Sequence, residues 1–254
     1  MNNLNSQITK GVIIILPLTI TAHEAIPYSI INGIPIGLYY YQKSNDISEI
    51  LRTANNYPIF QKSELVVLAM WKEFYLNLGN KIHQTLTKGY SNKRLAVNKW
   101  FSDEVSRDEL VQRLIDRKIS LVIYLGHGRS RGWSGYRGLR WHHLLSKKAK
   151  SSSIGIIISM TCDNLKFEHN KIPFGLKWVL ENRACSFFGA VESVKIFPMK
   201  KICNLLGNIF SEGKVDTIGG LIVLLDKEIS ETKNDEIKEC WSKFRLIGNP
   251  LTQI

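Results

Sequence analysis

Two short segments carry the residue types of a hydrolytic centre. Gly126-His127-Gly128 follows the apolar run Ile119–Leu125, and Thr161-Cys162-Asp163-Asn164 follows the apolar run Ile154–Met160. A cysteine attacks carbonyls as the thiolate, and a nearby imidazole can take its proton and later protonate a leaving amine. Glycines on both sides of His127 let the backbone approach a substrate and leave an N–H for a developing oxyanion. Taken singly, each residue has a plainer reading. A cysteine at a strand end is commonly a small buried hydrophobe, and a histidine between glycines a turn residue. The two apolar runs connect them. Both read as strands buried on two faces, and the stretch between has room for a crossover with a helix, which indicates a parallel pair. Carboxyl ends of neighbouring parallel strands lie on one sheet edge about 5 Å apart, so His127 and Cys162 would face a common space.

The remaining elements must build that sheet. Val12–Leu16 and Ile36–Tyr41 read as strands, the first as a buried one. Ser63 is placed to cap a long helix through Leu65, Leu68, Trp71, Tyr75, Leu78 and Ile82, ending near Gly89. Leu95–Trp100 reads as a strand. Ser106 and Glu109 form a capping box before a helix with Leu110, Val111, Leu114 and Ile115 on its apolar face. Short helices are expected over Trp141–Lys148 and Phe174–Asn182, and a strand over Cys185–Phe188. Helices follow over Met199–Glu212, stopped by Gly213, and Thr217–Ile229. A closing strand, Phe244–Ile247, precedes Gly248-Asn249-Pro250. The fold class this implies is α/β: a doubly wound, mostly parallel open sheet flanked by helices, read as one domain over residues 1–254.

Composition narrows the setting. The chain has 254 residues, 44% hydrophobic and 22% charged, which excludes disorder, collagen and coiled coil. Its 34 Lys and Arg against 22 Asp and Glu leave a formal charge of +12, an attraction toward polyanions. Four cysteines, none in a CxxC pair, exclude a disulfide-stapled scaffold, a zinc ribbon and a thioredoxin-like motif, and suit a reducing, cytoplasmic compartment. The run Gly11 to Ala22 is shorter than the ~20 residues of a membrane span. With Lys10 before it and Ala22 or Ala25 after, it also fits the core of a secretion signal. Its β-branched character and lack of a positive cluster favour the strand.

The segments VIYLGHGRSRGW, ISMTC, PFGLKWVLENRACSFFGAVESV and FRLIGNPL, in that order, resemble the gingipain-type cysteine peptidases of the caspase-like superfamily (clan CD). The resemblance spans about Ile119 to Leu251 and is weak over the first hundred residues. It implies a caspase-like fold and an endopeptidase that cleaves a protein through a thioester acyl-enzyme, without a cofactor or metal. On that resemblance Cys162 is the nucleophile, His127 the general acid/base, and the backbone N–H groups of Gly128 and Cys162 the oxyanion hole. A protein substrate follows, in bacterial members often one dedicated partner. Two departures stand out. The closing Gly-Asp-Pro of the family reads Gly248-Asn249-Pro250, and the upstream acid that receives a basic side chain in gingipains has no counterpart that can be placed. Trp133, Asp163 and Glu192 are the candidates for a substrate pocket, though each acid also reads as a solvated or structural group.

A second reading uses the basic loop. From Gly128 to Thr161 there is no acid, while Arg129, Arg131, Arg137, Arg140, Lys147, Lys148 and Lys150 alternate with Trp133, Tyr136 and Trp141. Charge with aromatic neighbours is what a single-stranded nucleic-acid groove uses. On this reading the chain is an idle caspase-like binding module that contacts nucleic acid, although a basic rim around an active site explains the charges as well. His142-His143 point apart on a helix and read as a surface pair, not metal ligands. His23, His83 and His169 read as surface or turn residues, and Cys185, Cys203 and Cys240 as structural.

Overall fold

A computed structural model describes residues 10–21, 24, 28–44, 46–55, 63–93, 95–145, 154–168 and 171–254. The main sheet runs in the order β1 (Val12–Pro17), β3 (Ile34–Tyr41), β12 (Phe244–Gly248), β11 (Ala184–Ala190), β10 (Ile154–Met160), β6 (Ile119–Leu125), β4 (Glu64–Ala69) and β5 (Ala96–Phe101), with β2 (Ile30–Ile31) paired to β3. From β11 to β5 the neighbours are parallel; β12 is antiparallel to β11 and parallel to β3. The sheet is therefore mostly parallel, with one reversal of direction between β11 and β12.

Helices cover both faces, and strand alternation divides the core accordingly. Val66, Leu68, Val122 and Tyr124 point to a face packed with Leu110 and Leu114 of α3 (Arg107–Asp116) and Phe174 and Trp178 of α5 (Phe174–Leu180). Leu65, Val67, Leu121 and Ile123 point to the other. There they meet Ile82 and Leu86 of α2 (Glu73–Tyr90), Ile202 and Leu206 of α6 (Ile196–Ser211), Leu221 and Leu225 of α7 (Ile218–Ser230), and Cys240 of α8 (Asp235–Ser242). Two shorter helices, α1 (Asp46–Asn55) and α4 (Trp141–Leu145), lie beside a small hairpin sheet, β7 (Gly128–Arg129), β8 (Gly132–Trp133) and β9 (Leu139–Arg140).

The long helix expected from Ser63 is wrong over its first third. Glu64–Ala69 is a strand clamped between β5 and β6, with Leu65 to Ala69 buried, and the helix begins only at Glu73. A fully buried strand is apolar throughout, so its Leu65 and Leu68 mimic helical spacing. The first strand also differs. β1 pairs only with β3, and Val12 is exposed, so it is a half-buried edge and not a buried strand. The Ser106 cap forms as read, its side chain accepting from Glu109 N, but the Glu109 carboxylate turns to Arg113 instead of completing the box. The α1 and α8 helices were not anticipated. Ala22, Ala25, His23, His169, Lys147, Lys148 and Lys150 lie outside the described residues. Among the described residues no helix is long and apolar enough to cross a membrane.

Candidate active site

The ladder between β6 and β10 decides the geometry. Leu125 is in register with Met160, so His127 and Cys162 each stand two residues beyond the same rung, on the same edge of the sheet. On the other side of β6, Ala69 of β4 is level with Leu125, and Met70 N donates to Leu125 O at 2.9 Å, which brings Trp71 and Lys72 to the same edge. Gly128 closes the gap between the two loops. A methyl group added there would lie 2.5 Å from the Cys162 carbonyl oxygen and closer still to Thr161 Oγ1, so only glycine lets the chain pass.

Each reactive side chain has its own support. The Cys162 thiol, half-buried, sits between the backbone of Val194, whose N–H donates to Sγ at 3.4 Å and whose carbonyl is 3.5 Å away. Asp163 turns the chain sharply after it with φ 58°, a left-handed conformation aspartate tolerates. The His127 carbonyl accepts from Ser134 N at 2.9 Å and from the Tyr124 hydroxyl at 3.2 Å, which fixes its backbone. Its ring meets Tyr75 edge-on, with 3.4 Å between Tyr75 Oη and Nδ1. Among the described residues no hydrogen bond joins the ring to Sγ.

Burial sets the resting protonation. It raises the Cys162 thiol above the ordinary range, against the lowering effect of the Val194 backbone bond, and Asp163 raises it further. It lowers His127 below the usual imidazole value, with the Lys72 charge acting in the same direction. Both directions disfavour the resting ion pair that the proximity of a histidine suggests from sequence and favour thiol and neutral imidazole.

Beneath the two loops lies Asn164. Its Oδ1 accepts from Trp133 Nε1 at 3.0 Å, Ser159 Oγ at 2.6 Å and Thr161 Oγ1 at 2.9 Å, while its Nδ2 donates to Arg129 O at 2.8 Å and Gly132 O at 3.3 Å. Its own carbonyl accepts from Gly175 N at the start of α5. One fully buried amide thereby ties the cysteine loop to the histidine hairpin and to a helix.

The family pattern called Peptidase family C25 matches residues 38–254. The chain belongs to peptidase family C25. The match begins well upstream of Ile119, so the second half of β3, together with β4 and α2, is part of the family's architecture, although the resemblance read from their local sequence was weak. A comparison with curated protein sequences finds no significant match. Among solved structures the chain is similar to the Arg-specific cysteine proteinase gingipain R (RgpB), with a TM-score of 0.74 and 15% identity over 96% of this chain and 64% of that one. The complex of Porphyromonas gingivalis RgpB pro- and mature domains gives 0.73 and 14%, covering 96% and 66%. The Saccharomyces cerevisiae separase–securin complex gives 0.63 and 10%, covering 96% of this chain and 16% of that one. These likenesses establish the caspase-like fold, and this C25 chain spans about two thirds of the gingipain chains it matches.

Within this C25 chain the other expected pocket residues fall in different places. Trp133 is fully buried, stacked on Tyr124 with ring centroids 4.3 Å apart, so it supports the hairpin from below and does not line an open pocket. Asp163 stays beside the thiol, where Ser193 Oγ donates to its Oδ2 and its own N–H donates to Glu192 O, which brings Glu192 to the same loop cluster. Tyr136 and Trp141 are also buried, the former donating to Trp100 O and the latter packed on Phe174 and Trp178. No ring among these three is available to stack a base, which removes the aromatic half of the nucleic-acid reading. The Asn249 of the closing segment is buried and structural, accepting from Ser186 Oγ and Thr252 Oγ1 through its carbonyl. His143 accepts from Arg140 N, and His83 Nε2 lies 3.2 Å from Val97 O. Cys203 and Cys240 are buried as expected, while Cys185 is partly exposed and borders a cavity with Tyr39, Leu176 and Ile247.

Tyr75 and Asn164 are the site residues that sequence reading missed. Tyr75 was hidden by the misread helix, which placed it on a generic apolar face. Asn164 stood in the quoted motif, but nothing local shows that a side chain two residues after a cysteine is buried under a hairpin 30 residues upstream.

Proposed function

We propose that this C25 chain is a caspase-like cysteine endopeptidase acting through Cys162 and His127. The observation that carries the reading is the shared rung of β6 and β10, which sets the thiol and the imidazole on one sheet edge with Gly128 packed against the Cys162 carbonyl. A scissile peptide lies between the two side chains, which need not touch one another. The thiol proton passes to His127, and Sγ attacks the carbonyl carbon. The imidazolium then gives that proton to the departing amine, leaving a thioester on Cys162. A water molecule attacks the thioester, His127 takes its proton, and the acid product leaves as the thiol is restored. The two oxyanion donors are the backbone N–H groups of Gly128 and Cys162. Support for the first comes from the hairpin ladder. Ser134 N bonds His127 O, so the adjacent pair Gly128 and Trp133 is the non-bonded rung, and the Gly128 N–H points away from β8.

A neutral resting pair suits an enzyme whose thiol ionises only once substrate has entered. A reducing, cytoplasmic setting belongs to this reading, since the mechanism needs Cys162 as a free thiol, and the substrate is a protein. The test is hydrolysis of a panel of denatured proteins and peptides by the wild-type chain, Cys162→Ala and His127→Ala. Cleavage confined to the wild type is the expected result; cleavage that persists in Cys162→Ala would overturn the reading.

A further inference from the structure

The entrance to the site has a composition of its own. Trp71 is 54% exposed, Ile196 46% and Phe197 57%, three large apolar side chains left in water at the starts of α2 and α6. Both segments are continuous with the reactive pair. Val194, which brackets the Cys162 thiol, is two residues before Ile196, and Tyr75, which contacts the His127 ring, packs edge-on against Phe74 with centroids 5.1 Å apart. Lys200 Nζ lies 5.5 Å over the Phe74 ring, so α6 reaches across to α2 and the two starts form one surface.

The charge on that surface is one-sided. Within Trp71–Tyr75 and Val194–Lys201 there are four lysines, Lys72, Lys195, Lys200 and Lys201, against the single acid Glu73. Lys195 pairs with Glu236 at 2.7 Å. Lys72 and Lys201 lie over the exposed rings, 6.0 Å from Trp71 and 5.4 Å from Phe197. The acids beside the thiol, Asp163 and Glu192, belong instead to the ends of β10 and β11. Exposed rings next to Lys72, Lys200 and Lys201, which make no ion pair among the described residues, favour a segment that brings both an apolar side chain to cover the rings and carboxylates to meet the lysines.

We infer that this entrance selects an extended protein segment with a large apolar side chain flanked by acidic residues, held within a few residues of the scissile bond by Trp71, Phe197, Lys72 and Lys200. The inference rests on the peptidase reading and deepens it, for it names a substrate class opposite in charge to the basic side chain that an acidic pocket would take.

Binding and cleavage separate the two claims. The probe is a fluorescein-labelled octapeptide with a central Phe between two Glu residues, and the controls replace the Phe by Ser or both Glu by Lys. Fluorescence anisotropy with the Cys162→Ala protein is expected to show at least tenfold tighter binding of the probe than of either control. Adding Trp71→Ala or Phe197→Ala removes about tenfold of that affinity, and Lys72→Glu with Lys200→Glu reverses the preference between Glu and Lys flanks. All four side chains are exposed, and unchanged circular-dichroism melting certifies the fold. Equal binding of the three peptides, or binding indifferent to these substitutions, overturns the inference. Wild-type cleavage of all three peptides at equal rates overturns it and leaves the peptidase reading standing. Selective binding without cleavage of any peptide counts against the peptidase reading and keeps only the recognition of an acidic, apolar segment by this entrance.

Discussion

The two sides of the reactive pair are built on opposite principles. Below it, Asn164, Trp133, Ser159 and Thr161 form a sealed polar cluster in which buried donors and acceptors meet inside the protein. Above it, Trp71, Lys72, Ile196 and Phe197 face water. The inner side fixes where Cys162 and His127 stand, because a buried polar group left without its partner is costly. The outer side fixes nothing in the fold and is free to serve recognition. On the proposed reading, catalytic geometry and substrate choice are carried by different residues, and they should be separable by mutation.

The largest effect is expected at the pair itself. Cys162→Ala and His127→Ala should each lower kcat/KM by roughly 10⁴ or more, with melting temperature nearly unchanged, as measured by peptide hydrolysis and calorimetry. Next comes the contrast between the two sides. Asn164→Leu removes the acceptor shared by Trp133 Nε1, Ser159 Oγ and Thr161 Oγ1 and the donor to the Arg129 and Gly132 carbonyls, and should cost about 3 kcal/mol in denaturant unfolding along with much of the activity. Trp71→Ala should stay within about 0.5 kcal/mol of wild type in the same measurement. Equal stability losses at the two positions would break the comparison.

The pH dependence sharpens it further. Burial raises the Cys162 pKa, so the reactive thiolate is scarce at neutral pH and grows as pH rises. Alkylation of Cys162, followed by intact mass, should climb with pH and show no plateau near the ordinary thiol value of about 8.5. Because His127 is held neutral, His127→Ala should change this resting alkylation little while removing hydrolysis. A fast alkylation at pH 7 that vanishes in His127→Ala would instead establish a resting ion pair. The smallest expected effect is that of Tyr75→Phe. It deletes a hydroxyl 3.4 Å from Nδ1, a long contact worth about 0.5 kcal/mol, and should lower kcat about twofold with KM unchanged.

Legibility in the sequence followed the same division. Uninterrupted apolar runs marked β6 and β10, and the residues just beyond them marked the site, since parallel strands end on one edge. Local end signals also worked. Ser106 caps α3, and Gly213, with φ 65°, stops α6. Reading failed where one pattern serves two structures. Glu64–Ala69 is a strand that spells a helix, and β1 is an edge that spells a core strand.

The chain by itself therefore determined the kind of sheet, the placement of His127 and Cys162 on one sheet edge and the glycine between their loops, because these depend on runs of residue type and on positions next to strand ends. Tertiary structure decided the rest. It inserted β12 between β11 and β3, antiparallel to the first and parallel to the second, brought Tyr75 to the imidazole, buried Asn164 under a distant hairpin and turned Trp133, Tyr136 and Trp141 inward. It also left Trp71 and Phe197 in water. The physical reason is that burial and partner choice are set by contacts between segments far apart in the chain, and no local pattern of charge or hydrophobicity encodes which of two equally apolar rings will find a neighbour.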